Sequence, residues 1–467
     1  MISKYKIPFF AALALTLLLS GCVTKKYDRP NVKTEDLFRD LKGTDTVTMA
    51  TMPWEELFAD AKLKALISKG LAQNVDLKNA IENIVQAQAT LKQSKLGYYP
   101  TLSANADITH AKQSKAALNF PAGININTLT DVYRAYLSTS WEADIWGKIS
   151  STKRMALASY LQTDAAKRAV QTQLISDIAN NYYALVAYDE QLRITEQTLK
   201  TRIDNIEIVN ALKEAAIVNG AAVVQAEANR YAAEVTIPDL KLSIRQTENA
   251  LCILLGQAPG PIDRTTLQDQ TVPQTLAVGV PSQLLENRPD VQQAEMAFRN
   301  AFENVNLAKT YFYPSLTLTA NGGASTLSLD SFFKQSIFYS IVGSLTQPIF
   351  NRGLNKQRLT TAQSQQVQAL NNFQQTIFVA GQEISNALYS YEMAVSKQES
   401  RVKQVEALTK AVDYTEQLLQ YTSTTNYTDV LTSQQSLLAA QLSGVNDKLQ
   451  QLQAVVNLYR ALGGGWQ

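Results

Sequence analysis

Few residues in this sequence are placed to do chemistry. Across 467 residues there is one histidine, His110, and there are two cysteines, Cys22 and Cys252. So small a stock speaks against a protein-built metal centre or a Cys–His nucleophile. The carboxylates are interspersed along the chain and form no acid/base pair. Cys252, flanked by Leu251, Ile253 and Leu254, reads as a small buried hydrophobe on an apolar helix face. His110 lies at the end of a strand pattern, next to a loop. With a net charge of +2, the chain has no bulk attraction for nucleic acid or an anionic surface. The expectation is a protein with no catalytic residues, no cofactor, no metal and no nucleic-acid partner. One side chain keeps a functional reading, the Cys22 thiol, as a point of covalent attachment.

Cys22 follows a targeting pattern. Lys4 and Lys6 form a charged end, Ile7 to Leu19 an apolar core, and Leu19-Ser20-Gly21-Cys22 resembles a bacterial lipoprotein cleavage site. Residues 1–21 are then a signal peptide, and Cys22 carries the lipid at the start of the mature chain. The alternative is an unmodified cysteine inside a discarded peptide. A diacylglycerol plus an N-acyl chain exceeds the two signals that stable anchoring takes. Val23, where an Asp would retain an enteric lipoprotein elsewhere, favours the outer membrane by the same resemblance. No later segment has about 18 consecutive apolar residues, so a membrane crossing would have to be made by strands.

Strand patterns are present, and they come in two sets. Within 285–323, Pro289 suits a first helical turn, and a run without Gly or Pro ends at Tyr313-Pro314, where proline blocks further helix. Leu316, Leu318 and Ala320 then alternate with Ser315, Thr317 and Thr319, the period of a strand with one apolar face. The same order occurs at 86–108 around Tyr99-Pro100, with Leu102, Ala104, Ala106 and Ile108 on one face. Further on, Ile145-Trp146 is answered by Ile349-Phe350. The chain therefore reads as two copies of a helix–strand–loop–strand–helix unit. The expected divisions are a 22–75 N-terminal arm, a first repeat at 76–286 and a second at 287–467.

The return strands carry the clearest alternation. In the first, Tyr133, Ala135, Leu137, Thr139, Trp141, Ala143 and Ile145 share one face, opposite Arg134, Tyr136, Ser138, Ser140, Glu142 and Asp144. In the second, at about 336–348, Tyr339, Ile341 and Leu345 alternate with Ser340, Ser344 and Thr346. Apolar-out, polar-in strands with aromatics toward their ends describe a membrane barrel, although a soluble sheet can alternate too. Four strands cannot close a barrel, whose smallest membrane forms have about eight, and open edges are not tolerated in lipid. Several copies must then share one barrel; three copies supply twelve strands.

The remaining sequence is helical. About 150–215 contains neither Gly nor Pro, and Leu174, Ile178, Tyr182, Leu185, Leu192, Leu199, Ile203 and Ile206 are spaced as a coiled-coil seam. Such a helix is on the order of 100 Å long. The chain returns over about 223–255, breaks in the Gly/Pro-containing 256–286, and resumes at 288–312. The second copy descends over about 354–421, with Val405, Leu408, Val412 and Leu419 in register, and returns over about 428–462. Residues 23–52 are polar and read as a tether or extended arm.

Taken in order, several short motifs resemble one family. They are Pro53-Trp54 with Leu57-Phe58-Ala59-Asp60, Asn74-Val75-Asp76-Leu77, and Asp144-Ile145-Trp146-Gly147-Lys148. Leu254-Leu255-Gly256 with Pro259-Gly260, Asn287-Arg288-Pro289-Asp290, Tyr313-Pro314-Ser315-Leu316 and Asp429-Val430-Leu431 follow. Together with the duplication and the lipoprotein site they resemble the TolC-like outer-membrane efflux proteins, in the lipoprotein (OprM/NodT) branch. The resemblance implies a mainly α chain with a membrane β portion: duplicated long helical hairpins and four strands per chain. It implies a homotrimer whose twelve-strand barrel, in outer-membrane lipid, continues as an α-helical barrel in the periplasm. The implied partners are a periplasmic adaptor and an inner-membrane RND-type pump, for which the chain is a passive exit duct for drugs, metals or other small toxic compounds. The competing reading is a non-conducting outer-membrane coiled-coil lipoprotein that serves as a scaffold.

The resemblance also assigns residues. Asp429 falls where some members place an acidic ring narrowing the tunnel entrance; the alternative is an exposed Asp near a turn. Ala216, Asn219, Gly220, Ser423, Asn426 and Tyr427 mark the two hairpin tips expected to dock the adaptor, with Ala216 and Ser423 where the family usually has Gly. The resemblance also implies an equatorial collar from 23–75, 256–286 and the chain end; Tyr133, Trp141, Trp146 and Tyr339 are expected at the membrane interfaces, with aromatic core packing in that collar as the alternative for the first three.

Overall fold

The computed structural model describes residues 24–32, 37–38, 47–117, 127–271, 277–421 and 427–466. Its helices are α1 (Trp54–Leu57), α2 (Ala61–Gln73), α3 (Val75–Leu96), α4 (Lys148–Glu214), α5 (Gly220–Leu254), α6 (Leu284–Asn287), α7 (Pro289–Thr310), α8 (Leu354–Tyr421) and α9 (Tyr427–Leu462). Four strands, β1 (Thr101–Lys112), β2 (Leu129–Glu142), β3 (Ser315–Thr326) and β4 (Ile337–Thr346), complete it. Helix, two strands, long helix and return helix thus occur twice in the same order. Contacts divide the chain into two units. The first takes the chain up to Pro30, Val85–Gln162 and Glu295–Asn371; the second takes Asn31–Ile84, Thr163–Ala294 and Asn372–Gln467.

The first unit holds an antiparallel sheet in the order β1-β2-β3-β4. Its strands depart from the alternation-based limits at their loop ends. β2 starts at Leu129, and β3 runs through Gly322-Gly323 to Thr326. Glycine is tolerated there because the neighbouring backbone is close: a Cβ at Gly323 would lie 2.2 Å from the Ala135 carbonyl oxygen. After β2 the chain turns sharply into α4. Asp144 accepts hydrogen bonds from the Ile149 and Ser150 amides at 2.7 and 2.9 Å, so its carboxylate satisfies the first orphan donors of the helix. Gly147, at φ +78°, takes the left-handed step that a side chain would resist.

The second unit is a helical core. Ile178, Tyr182 and Leu185 of the predicted seam are fully buried, as are Phe373, Ile377, Ala380 and Ile384 of α8. Below Leu192 the buried stripe of α4 departs from prediction: Thr195, Arg202 and Val209 face inward, while Ile203 is 40% exposed. Those three are spaced by sevens, so the coiled-coil period persists on a neighbouring line of the helix. Pro238, read past in the sequence, lies inside α5. The described residues at the end of the 23–52 segment pack on the core. Met49 donates its amide to the Ala277 carbonyl at 2.8 Å, Ala50 is fully buried, and Tyr459 donates its hydroxyl to the Met52 carbonyl at 2.6 Å.

Two polar clusters fix this core. Asp60 caps α2 by accepting from the Lys62 amide at 2.7 Å. Its other oxygen accepts from Tyr182 Oη at 2.6 Å, Thr265 Oγ1 at 2.5 Å and Gln270 Nε2 at 2.8 Å. Burial pushes this carboxyl up, but the donors from Thr265, Tyr182, Gln270 and Lys62 outweigh it and hold the group below the usual carboxylate value. Arg288, 3% exposed, makes a two-pronged pair with Asp290 at 2.6 and 2.9 Å. It also pairs with Glu383 at 2.7 Å and donates to the Ala461 carbonyl at 2.8 Å. Its Asn287-Arg288-Pro289-Asp290 motif is thus a helix start and a tie to the C-terminal segment at once. Asn74 likewise serves two elements, capping α3 through the Leu77 amide at 2.9 Å and donating to the Leu254 carbonyl at 2.9 Å.

Two stability outcomes are expected. Arg288→Ala removes the ion-pair partner of Asp290, leaves Glu383 with Arg460 alone, and should cost about 3–5 kcal/mol, read as a lowered unfolding midpoint in detergent. Because the folded pKa of Asp60 lies below its unfolded value of about 3.9, its contribution is present above that pH and lost as pH falls through the folded value. Asp60→Asn should therefore flatten the acid limb of the melting-temperature profile, and an unchanged limb would refute the assignment.

Candidate functional site

The register aligns the strand faces. Ala104 pairs with Leu137, Leu137 with Gly322 and Gly322 with Tyr339, so the alternate residues of all four strands fall on common faces. One face carries Leu102 and Ile108, Leu137 and Trp141, Leu316 and Leu318, and Ile337, Ile341 and Leu345. It is open: Leu137 is 53% and Ile341 68% exposed. The opposite face is mainly polar, and Asn105 donates to Ser138 Oγ across it at 2.8 Å. Tyr136 and Phe338 are exceptions, packing with ring centroids 6.1 Å apart. Among the described residues, β1 pairs only with β2 and β4 only with β3, which leaves an unpaired outer edge on each.

The four aromatics lie toward the two ends of this sheet. At the helical end, Trp141 donates its indole N–H to the Tyr98 carbonyl at 2.9 Å, and Trp146 donates to the Pro314 carbonyl at 2.7 Å. Trp146 also stacks on Tyr313 at 4.9 Å and 27°. Toward the loop end lie Tyr133, opposite Ile108 and Thr326, and Tyr339, which is 83% exposed. Apolar bodies with a bonded or free polar handle suit a water–lipid boundary. His110 contacts Asp131 across the strand pair near the same end.

At the first hairpin tip, Ala216 adopts φ +59°. The Ile217 amide reaches the Leu212 carbonyl at 2.9 Å and the Ala216 amide the Lys213 carbonyl at 3.0 Å, the paired bonds of a Schellman ending. Alanine thus keeps the left-handed step for which glycine is the usual residue. Asn219 caps α5 through the Ala222 amide at 3.2 Å, and Gly220 is its first residue. At the second tip, Ser423 and Asn426 lie outside the described residues. Tyr427 is 5% exposed and packs with Val209, Val223, Ala226 and Leu431, so it joins the two hairpins and presents little surface for docking. Asp429 is exposed in the first turn of α9, where the helix dipole favours a carboxylate, while Val430 and Leu431 are buried behind it. Cys22 lies outside the described residues. Cys252 is fully buried, with Sγ 3.4 Å from the Gly260 carbonyl.

Sequence reading missed Arg202, 6% exposed on α4, which donates to the Asn229 carbonyl of α5. Burial lowers its pKa from the ordinary arginine value. The spacing of 195, 202 and 209 was the available signal, masked because the middle position is charged. Since a non-glycine residue in the left-handed region costs on the order of 1 kcal/mol, Ala216→Gly should slow amide exchange at Ile217 and Val218 several-fold. Faster exchange would show that the strain is absent.

No group of His, Cys, Asp and Glu among the described residues has metal-site geometry, and no described helix is apolar and long enough to cross a membrane. Comparison with known proteins gives the family. The model of the outer membrane efflux protein family matches residues 66–257 and 280–464. The chain is similar to a probable efflux pump outer membrane protein, TtgC of Pseudomonas putida, with 29% identity over 90% of this chain and 86% of the relative. It is similar to a probable outer membrane lipoprotein, SilC of Salmonella typhimurium, with 28% identity over 97% and 98%. Its fold matches the crystal structure of the open state of the MtrE outer membrane channel of Neisseria gonorrhoeae, with a TM-score of 0.84, 26% identity, and 95% and 98% coverage. The chain belongs to the outer membrane efflux protein family.

Proposed function

We propose that three copies of this chain form a passive exit duct, a twelve-strand barrel in the outer membrane continued by a helical tunnel. Each copy would contribute its two repeats, 76–286 and 287–467. The observation that carries the reading is the sheet: a single apolar face left open, bounded by unpaired edges on β1 and β4. In lipid those edges must be bonded, and β4 of one copy against β1 of the next bonds both without an added element. The polar face, with Ser138, Thr319 and Ser340, would then line water. In the same reading the chain does no chemistry. A periplasmic adaptor docks at the tips around Ala216, Asn219, Gly220, Ser423 and Asn426, and an inner-membrane RND-type pump chooses the drug, metal or other toxic cargo. Asp429, repeated three times, would bias the entrance toward cations. Cys22, lipidated, would anchor each copy, with Trp141, Trp146, Tyr133 and Tyr339 at the interfaces.

Leu137→Arg and Ile341→Arg test the lipid-facing assignment. A basic residue on the lipid face near the bilayer midplane costs about 2–4 kcal/mol, and three copies multiply it. Each variant should lose assembled trimer from outer-membrane fractions, while Ser138→Arg on the polar face assembles normally. Normal assembly of the first two would favour a non-conducting scaffold. Crosslinked pull-down of the native protein then decides the partners: a trimer with adaptor and pump supports the duct, a monomer alone refutes it.

A further inference from the structure

The helix ends that border the sheet carry a charge that the rest of the chain does not. In the first unit, outside the strands and the loops that join them, residues 85–100, 143–162, 295–314 and 347–371 hold ten Lys and Arg against three Asp and Glu. That is a net +7 in a chain whose total is +2, which leaves −5 for the remainder. The three acids are already committed. Asp144 accepts from the Ile149 and Ser150 amides, Glu303 pairs with Arg154 at 2.9 Å, and Glu295 pairs with Arg29.

Helix electrostatics account for only some of these cations. Lys95 sits in the last turn of α3, where the dipole favours it. At the starts of α4 and α8 the same dipole opposes positive charge, and neither first turn holds an acidic residue. Yet Lys148 and Lys153 occupy the start of α4, and Lys356 and Arg358 that of α8. Tyrosines at the ends of the strands hold three of the four. Lys148 and Arg358 lie 5.7 and 4.6 Å from the Tyr311 ring centroid, and Lys153 lies 5.9 Å from that of Tyr98. Lys148 also pairs with Glu142 of β2 at 2.8 Å. No described carboxylate pairs with Lys92, Lys95, Lys153, Lys356 or Arg358, and all of these but Lys153 are exposed. Each lies within two helical turns, about 11 Å, of the strand-side end of its helix. The headgroup zone on one side of a bilayer is about 5–8 Å deep, so strands that span the hydrocarbon put these cations at headgroup level.

We infer that the cations form a belt that binds anionic phospholipid headgroups of the periplasmic leaflet in preference to zwitterionic ones. The inference rests on the proposed lipid-facing sheet. Headgroup phosphates supply the negative charge that the first turns of α4 and α8 lack, and three copies close the belt around the barrel. A zwitterionic lipid presents the same phosphate with an ammonium beside it, so the belt discriminates by net charge. One Lys or Arg near an anionic surface is worth a factor of about five in association.

The test reconstitutes the full-length protein in phosphatidylcholine bilayers carrying a trace of spin-labelled phosphatidylglycerol or spin-labelled phosphatidylcholine. The spectrum of each label gives the fraction immobilised against the protein. At low salt the phosphatidylglycerol label should associate about fivefold more strongly than the phosphatidylcholine label. That preference should fall toward unity at about 1 M salt, where the Debye length is about 3 Å. Lys92→Gln, Lys95→Gln and Lys356→Gln combined should remove most of it, whereas Lys92→Arg, Lys95→Arg and Lys356→Arg combined should keep it. Equal association of the two labels with the wild type, or a preference that the Gln variant retains, would overturn the belt. No immobilised lipid with either label would sink the lipid-facing sheet, and the belt with it, so the two failures are told apart. If the Gln variant does not fold, the salt series on the wild type decides: a preference insensitive to salt overturns the belt.

Discussion

An unpaired strand edge cannot face hydrocarbon, and most of this structure follows from that constraint. Each buried backbone N–H or C=O without a partner costs several kcal/mol in lipid, so a four-stranded sheet with an apolar face is not a membrane structure alone. The chain nevertheless builds such a sheet, with β1 and β4 as open edges and Leu137, Ile341 and Leu345 turned outward. Those features are liabilities in water and components in a closed barrel. The same side chains that would aggregate a soluble protein are matched to lipid once the edges pair.

The helical unit faces a different problem, since its helices alternate between packing on one another and exposure. Here buried polar groups are admitted where they tie distant segments together. Asp60 joins the start of α2 to Tyr182 on α4 and to Thr265 and Gln270 beyond α5. Arg288 joins the start of α7 to Glu383 on α8 and to the end of α9. Neither cluster is a cheap source of stability, because desolvation offsets much of the Coulombic gain. What they contribute is connection, since each ties together segments far apart in the sequence.

This division explains what could be read from the sequence. Period-two alternation gave the four strands, and proline after tyrosine gave the helix-to-strand switches at 99–100 and 313–314, because both signals are local. The α8 and α9 limits were legible for the same reason, long runs free of breakers. Pro238 inside α5 shows the limit of that rule, since tertiary packing can keep a helix through a proline. Tyr427 was not legible at all, since its burial comes from the other hairpin, which no local pattern names, and Arg202 left only the spacing of 195, 202 and 209, masked by its charge. Asn306, bonded to the Lys25 backbone, was hidden similarly, because its partner lies far back in the sequence.

The two repeats show how far such long-range contacts reshape a shared local plan. Gly147 and Gly353 both adopt φ +78° at the turn from strand to long helix, so the backbone solution is common. In the first repeat Asp144 caps the helix, Trp146 stacks on Tyr313, and Thr24 closes over Gly147. In the second, no described residue lies within 4 Å of a Cβ at Gly353, and Ile349 and Phe350 are 98% and 85% exposed. The cover on the glycine itself comes from the arm. One turn has been sealed by the segment that enters from the N-terminus, and its glycine is required twice, for backbone conformation and for space. The other needs its glycine for conformation alone, and its apolar residues remain open to whatever surrounds the chain.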